Sequence, residues 1–138
     1  AEMLDLAGFI GVAGIQPYGR HREATVEAAI RAGLDVLLPV AVGNERVSLL
    51  DVADEVTPLV DTADGDRHGG TGRRFDTDLV DPAGRDWVLA GGLNPDNVAD
   101  AIGRAKPWGV DASSGLESVP GKKELSLITR FVEEAKSA

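Results

Sequence analysis

Five short runs of this chain, residues 13–16, 36–42, 58–61, 87–90 and 109–112, are apolar without alternation. A half-exposed strand alternates polar and apolar side chains, so runs of this kind belong to parallel strands covered on both faces. Each ends in glycine, asparagine, aspartate or serine. Between them, residues 23–32, 47–53, 97–106 and 125–136 carry apolar side chains at three- and four-residue spacing, the pattern of crossover helices. The reading is an α/β fold of five βα units. No linker, low-complexity tract or charge block interrupts the series, so residues 1–138 are expected to form one domain. A chain of this length can bury roughly 68% of its unfolded surface, enough for a core without disulfides or a structural metal.

Two of the helices can be read in detail. In the third, Asn94 fits the N-cap, Pro95 the first helical position, and Asp96 and Asp100 the positive end of the helix dipole. Val98, Ala101, Ile102 and Ala105 then form one apolar stripe, and Lys106 before Pro107 marks the stop. In the last helix Leu125, Ile128, Phe131 and Val132 form the stripe, with Glu133, Glu134 and Lys136 facing water.

Composition removes several kinds of chemistry. There is no cysteine, hence no thiol nucleophile, thiolate base or iron–sulfur site. With 14 basic against 23 acidic side chains and a net charge of −9, a nucleic-acid groove is not expected, and 4% aromatic residues are too few for base-stacking platforms. An anionic small molecule can still bind locally. No run approaches the roughly 18 apolar residues of a membrane span. The apolar opening at residues 6–15 has no basic stretch before it, so no signal peptide is expected and the chain reads as cytoplasmic. His21 and His68 have arginine neighbours and no ligand spacing, so no metal is expected. No Gly-x-Ser-x-Gly elbow supports a serine hydrolase. Arg20, His21 and Arg22 read as a solvated basic face.

Chemistry concentrates where strands end. Asp61 closes the third run, and in parallel α/β folds the carboxyl ends of the strands carry the site. A partly desolvated carboxylate there suits a general acid; the plainer role is to turn the following loop. Residues 63–76 read ADGDRHGGTGRRFD. Gly69, Gly70 and Gly72 bare their amides and Arg73 and Arg74 add charge, which suits holding or covering an anion and equally suits a surface loop. Gly91 and Gly92 join the fourth run to the helix beyond Asn94, and Asp111, Ser113, Ser114 and Gly115 follow the fifth. Either segment alone is an ordinary turn. Both on consecutive strands fit a phosphate site, which in (β/α)8 barrels commonly forms after strands seven and eight.

Taken together, Leu59-Val60-Asp61-Thr62, Gly69-Gly70-Thr71-Gly72 with Phe75-Asp76, Leu89-Ala90-Gly91-Gly92-Leu93-Asn94-Pro95 with Asn97-Val98, and Gly109-Val110-Asp111-Ala112-Ser113-Ser114-Gly115 with Glu117, Pro120, Gly121 and Lys122 resemble phosphoribosylanthranilate isomerase. The resemblance is strongest over residues 59–136, corresponding to the C-terminal part of the family, its strands four to eight. Upstream it is weaker: Ile15-Gln16-Pro17-Tyr18-Gly19 stands where the family usually has a glutamine-leucine-histidine-glycine turn. It implies a partial TIM (β/α)8 barrel, with an open flavodoxin-like sheet as the alternative. It also implies an isomerase of tryptophan biosynthesis that performs an Amadori rearrangement without metal or cofactor. By that resemblance Asp61 is the general acid, Gly91, Gly92, Ser113, Ser114 and Gly115 hold the substrate phosphate, and Asp111 lies near the ribose or anthranilate. Residues 64–72, with Gly70, Thr71 and Gly72, close over the substrate.

The departures are as informative. The family's general base is a cysteine in a lysine-x-cysteine-glycine motif on its first strand, and these 138 residues contain neither. The arginine used against anthranilate is absent with it, Tyr18 replaces a histidine, and Lys123-Glu124 replaces lysine-aspartate. The resemblance therefore implies the acid and phosphate halves of a site whose base is missing, and impaired catalysis by this chain alone. The alternative is a non-catalytic phosphate-binding module, or a fragment completed by a partner chain or a second copy covering its strand edges. Other phosphate-binding barrels, such as the histidine-pathway isomerase, share the glycine-serine turns but not the Asp-Thr and Gly-Gly-Thr-Gly-x-x-Phe-Asp arrangement.

Overall fold

A computed structural model describes residues 2–43, 45–61 and 79–138. Every apolar run named above forms a strand: β1 (Gly14–Ile15), β2 (Asp35–Ala41), β4 (Thr57–Asp61), β6 (Val88–Ala90) and β7 (Gly109–Val110). They build one parallel sheet in the order β1-β2-β4-β6-β7. Short strands β3 (Val47–Ser48) and β5 (Val80–Asp81) pair beside it, and β8 (Glu117–Val119) with β9 (Lys122–Lys123) forms a hairpin. The helices are α1 (Glu2–Ile10), α2 (Arg22–Arg31), α3 (Val98–Ala105) and α4 (Leu125–Ser137).

Strand order decides between the two architectures. A flavodoxin-like sheet reverses direction and runs 2-1-3-4-5, with helices on both faces. Here the order follows the chain without reversal, so the flavodoxin-like alternative is corrected to a singly wound arc of a barrel. Side chains agree with the order. Because successive strand residues point to opposite faces, Val60 and Leu89 join Trp87, Val98 and Phe131 in the core that α3 and α4 cover. Leu59, Val88 and Ala90, with Leu37, form a separate cluster on the other face, to which no helix contributes. A third cluster around Ala29, Val36 and Val56 seats α2 and Leu4 of α1.

Four readings of local structure change. Residues 47–53 are not a helix: β3 leads into a 3-10 turn at Leu49–Asp51, with Ser48 Oγ accepting from the Leu50 amide. The Arg85 guanidinium donates to the carbonyls of Leu49 and Ala53 (2.9 and 2.8 Å), of Val56 (3.0 Å) and of Val52, holding the segment open instead of letting these carbonyls close a helical ladder. Asn94 does not cap α3, which starts at Val98; it stabilises the turn before it, its side chain accepting from the Asp96 amide at 2.8 Å. The stripe of α4 is rotated: Leu127, Ile128, Phe131 and Ala135 pack, while Leu125 and Val132 stay exposed. The apolar opening is partly helical, overlapping the second half of α1, which no periodicity announced. The stripe of α3 packs as read, and α3 ends at Lys106 in the left-handed conformation. No helix among the described residues is long and apolar enough to cross a membrane.

Candidate functional site

Register brings three strand ends level. Asp61 lies opposite Ala41 on one side and Ala90 on the other, Leu89 lies opposite Val110, and the Asp111 amide donates to the Leu89 carbonyl at 2.8 Å. The residues just beyond each end therefore face one space. A cleft of about 230 Å³ opens there, lined by Asp61, Gly91, Gly92, Asp111, Ser113 and Ser114, with Tyr18, Leu59, Ala90, Leu93 and Ala112. It is smaller than the roughly 300–1,000 Å³ of a whole small-molecule pocket. Six of the residues expected at the site are thus brought together. Gly70, Thr71 and Gly72, with the rest of residues 62–78, lie outside the described residues.

The glycines have separate physical reasons. Gly91 and Gly92 adopt φ of 96° and 64°, so the chain turns sharply off β6 with no side chain over its amides. Gly115 does not line the cleft but stands against Leu93 and Asn94 of the preceding loop. A Cβ there would come 2.0 Å from the Leu93 carbonyl oxygen and 2.9 Å from Asn94 Cβ, so the loops after β6 and β7 touch through backbone only because residue 115 has no side chain. Asn97 braces the first loop, donating to the Gly92 carbonyl at 3.0 Å while its Oδ1 accepts from the Asn94 amide at 2.8 Å.

The second loop is braced from the β8–β9 hairpin. Lys123 Nζ donates to Glu117 Oε1 at 2.6 Å, to the Ser113 carbonyl at 2.9 Å and to the Ser113 hydroxyl at 3.2 Å, and Glu117 Oε2 accepts from the Gly121 amide at 2.9 Å. The Lys123 hydrogen bond, and after it the Gly121 amide, hold the Glu117 carboxyl below its ordinary 4.5; burial acts in the opposite direction and is outweighed. A carboxyl lowered in the folded state stabilises the fold fully above its unfolded value, and that stability is lost as pH falls through the folded value. In thermal unfolding at successively lower pH below 4.5, the wild-type chain is therefore expected to lose more of its midpoint than Glu117→Gln does.

Several contributors escaped the sequence reading. Tyr18, after β1, lines the cleft, with its hydroxyl accepting from Gln16 Nε2 at 2.6 Å; its signals were its place in a turn after the first strand and the family histidine it replaces. Asn97, Glu117 and Lys123 were visible as motif letters without roles. Among the described residues no group of three His, Cys, Asp or Glu is placed to hold a metal ion.

Comparison with known proteins places this arrangement. The family model described as N-(5′-phosphoribosyl)anthranilate (PRA) isomerase matches residues 1–134. The protein named N-(5′-phosphoribosyl)anthranilate isomerase from Thiobacillus denitrificans is 39% identical over 140 residues, covering 100% of this chain and 64% of its own length. The crystal structure of phosphoribosyl anthranilate isomerase from Thermotoga maritima superposes with a TM-score of 0.78 at 34% identity, covering 99% of this chain and 68% of that one. A further structure, of such an isomerase in complex with reduced 1-(o-carboxyphenylamino)-1-deoxyribulose 5-phosphate, gives a TM-score of 0.73 at 31% identity, covering 99% and 66%. The chain thus spans about two thirds of the length of these relatives.

Proposed function

The chain belongs to the N-(5′-phosphoribosyl)anthranilate isomerase family, and from that premise we propose that its cleft is the acid and phosphate half of an Amadori isomerase site in tryptophan biosynthesis. The observation that carries the proposal is the meeting of Asp61 with Gly91, Gly92, Ser113 and Ser114 on three adjacent parallel strand ends. Backbone amides of the two turns hold the substrate phosphate, and Gly115 keeps the turns in contact. This fixes the ribose over the strand ends, with Asp111 beside the sugar or the anthranilate. Asp61 then donates a proton as the ribose ring opens. The second step, removal of the proton from ribose C2, needs a base. The family's cysteine is not among these 138 residues, so the second step is the one this chain performs poorly alone.

Calorimetric titration tests the ligand assignment. The reduced compound bound in the solved relative is expected to bind this chain at least about tenfold more tightly than inorganic phosphate, a difference of about 1.4 kcal/mol. A folded chain that binds neither overturns the proposal. Equal affinity for both favours a second reading, a non-catalytic phosphate-binding portion completed by a partner chain or a second copy. The observation behind that reading is the apolar face of α1, where Leu6, Phe9 and Ile10 are 56%, 88% and 58% exposed.

A further inference from the structure

The turn after β7 carries Ser113 and Ser114 into the cleft, and its backbone is irregular at Ser113, with φ −124° and ψ −84°. The Ser113 carbonyl accepts from the Leu116 amide at 3.0 Å, closing a 3-10 turn over Ser114–Leu116, but the carbonyl's second lone pair and the Ser113 hydroxyl are held by another contact. Lys123 makes that contact. Its ammonium has three protons, and three acceptors lie within 3.2 Å: the Ser113 carbonyl, the Ser113 hydroxyl and Glu117 Oε1. Glu117 in turn holds the Gly121 amide, which ties β8 to β9 and fixes the base from which Lys123 reaches. The Glu117 side chain is 16% exposed and the Lys123 side chain 46%, so the pair is shielded from water and ions on the Glu117 side only.

The charge of the cleft explains why such a brace would matter. Its described lining includes two carboxylates, Asp61 and Asp111, and neither lysine nor arginine. Among the described residues, what it offers an anion is amide and hydroxyl dipoles, whose attraction depends steeply on their direction. Lys123 acts on that direction at two points. Together with the Leu116 amide, it anchors the Ser113 carbonyl, which fixes the peptide plane shared with the Ser114 amide. It also occupies a lone pair of the Ser113 hydroxyl, leaving the hydroxyl proton free to donate elsewhere. The lysine does not itself line the cleft.

We propose that Lys123, oriented by Glu117, is a positioning residue that sets the Ser113–Ser114 turn for anion binding. The identity of the anion as the substrate phosphate rests on the function proposed above.

The experiment uses the 138-residue chain with Lys123→Met, Lys123→Arg and Glu117→Gln. Amide spectra of residues 113–115 are recorded without ligand, and inorganic phosphate is then titrated into each folded protein. Lys123→Met is expected to move the 113–115 amides and weaken phosphate binding about tenfold, as for loss of one charge-assisted hydrogen bond. Lys123→Arg, which keeps the charge and the donors, is expected to return affinity to within about threefold of wild type. Glu117→Gln falls between. Unmoved amides in Lys123→Met, wild-type affinity in that variant, or failure of Lys123→Arg to improve on it each overturns the positioning role. A wild-type chain that binds no phosphate while Lys123→Met still moves the amides overturns the functional reading instead, and supports the link between Lys123 and the turn.

Discussion

Gly115→Ala is expected to destabilise the fold by about 3 kcal/mol, near the upper end for overpacking, and to lower the thermal midpoint by about 10 °C. The added Cβ would stand 2.0 Å from the Leu93 carbonyl oxygen, a backbone atom that no rotamer change can move aside. Relief requires the loops after β6 and β7 to separate, and their contact is what brings Gly91 and Gly92 to Ser113 and Ser114. Binding of inorganic phosphate should therefore fall beyond detection even at temperatures where the variant remains folded. The same substitution at Gly103, inside α3 with nothing within 4 Å of the added atom, should instead stabilise by about 0.5–1 kcal/mol. Thermal unfolding of the two variants compares one chemical change at a packed and an open position. A Gly115→Ala protein with wild-type midpoint and wild-type phosphate affinity would show that the loop contact has no such role.

The sheet was legible in the chain because parallel strands covered on both faces leave uninterrupted apolar runs, and all five runs became strands within two residues of the ends read from them. Helix α3 was legible for a similar reason, since Val98, Ala101, Ile102 and Ala105 can share a face only in a helix. Residues 47–53 show where periodicity fails. Their apolar spacing suits a helix, but the Arg85 guanidinium, from residues distant in sequence, takes the carbonyls that a helix would use. The N-terminal helix α1 was hidden because its exposed face carries Leu6, Phe9 and Ile10 in place of the polar residues that would have marked a period.

At the site, strand-end logic and the family resemblance found the residues that line the cleft on β4, β6 and β7, including Asp61, because position along a strand fixes which end a residue occupies. The supporting contacts stayed invisible. Asn97 on Gly92, Lys123 on Ser113 and the backbone approach at Gly115 each depend on how two loops meet, which no local pattern encodes.

The second large effect lies in catalysis. In the proposed function Asp61 supplies a proton for ring opening and the two turns hold the phosphate, but removal of the ribose C2 proton needs a base at a fixed distance from that carbon. Positioned acid–base groups contribute about 10²- to 10⁴-fold, and no cysteine is present among these residues to serve as the family's cysteine does. Binding contributed by the remaining third of the relatives' length is a further loss. Because ring opening precedes the slow proton removal, the part of Asp61 is read from ring opening itself: Asp61→Asn should slow formation of the open-chain form while leaving phosphate binding in place.

Isomerase turnover of the purified 138-residue chain, set beside that of the full-length Thermotoga maritima relative under the same saturating substrate, tests the central claim most directly. The expected result is a rate at least about 10²-fold below the relative's. Turnover close to the relative's would contradict the claim that this chain holds the acid and phosphate half of the site without its base.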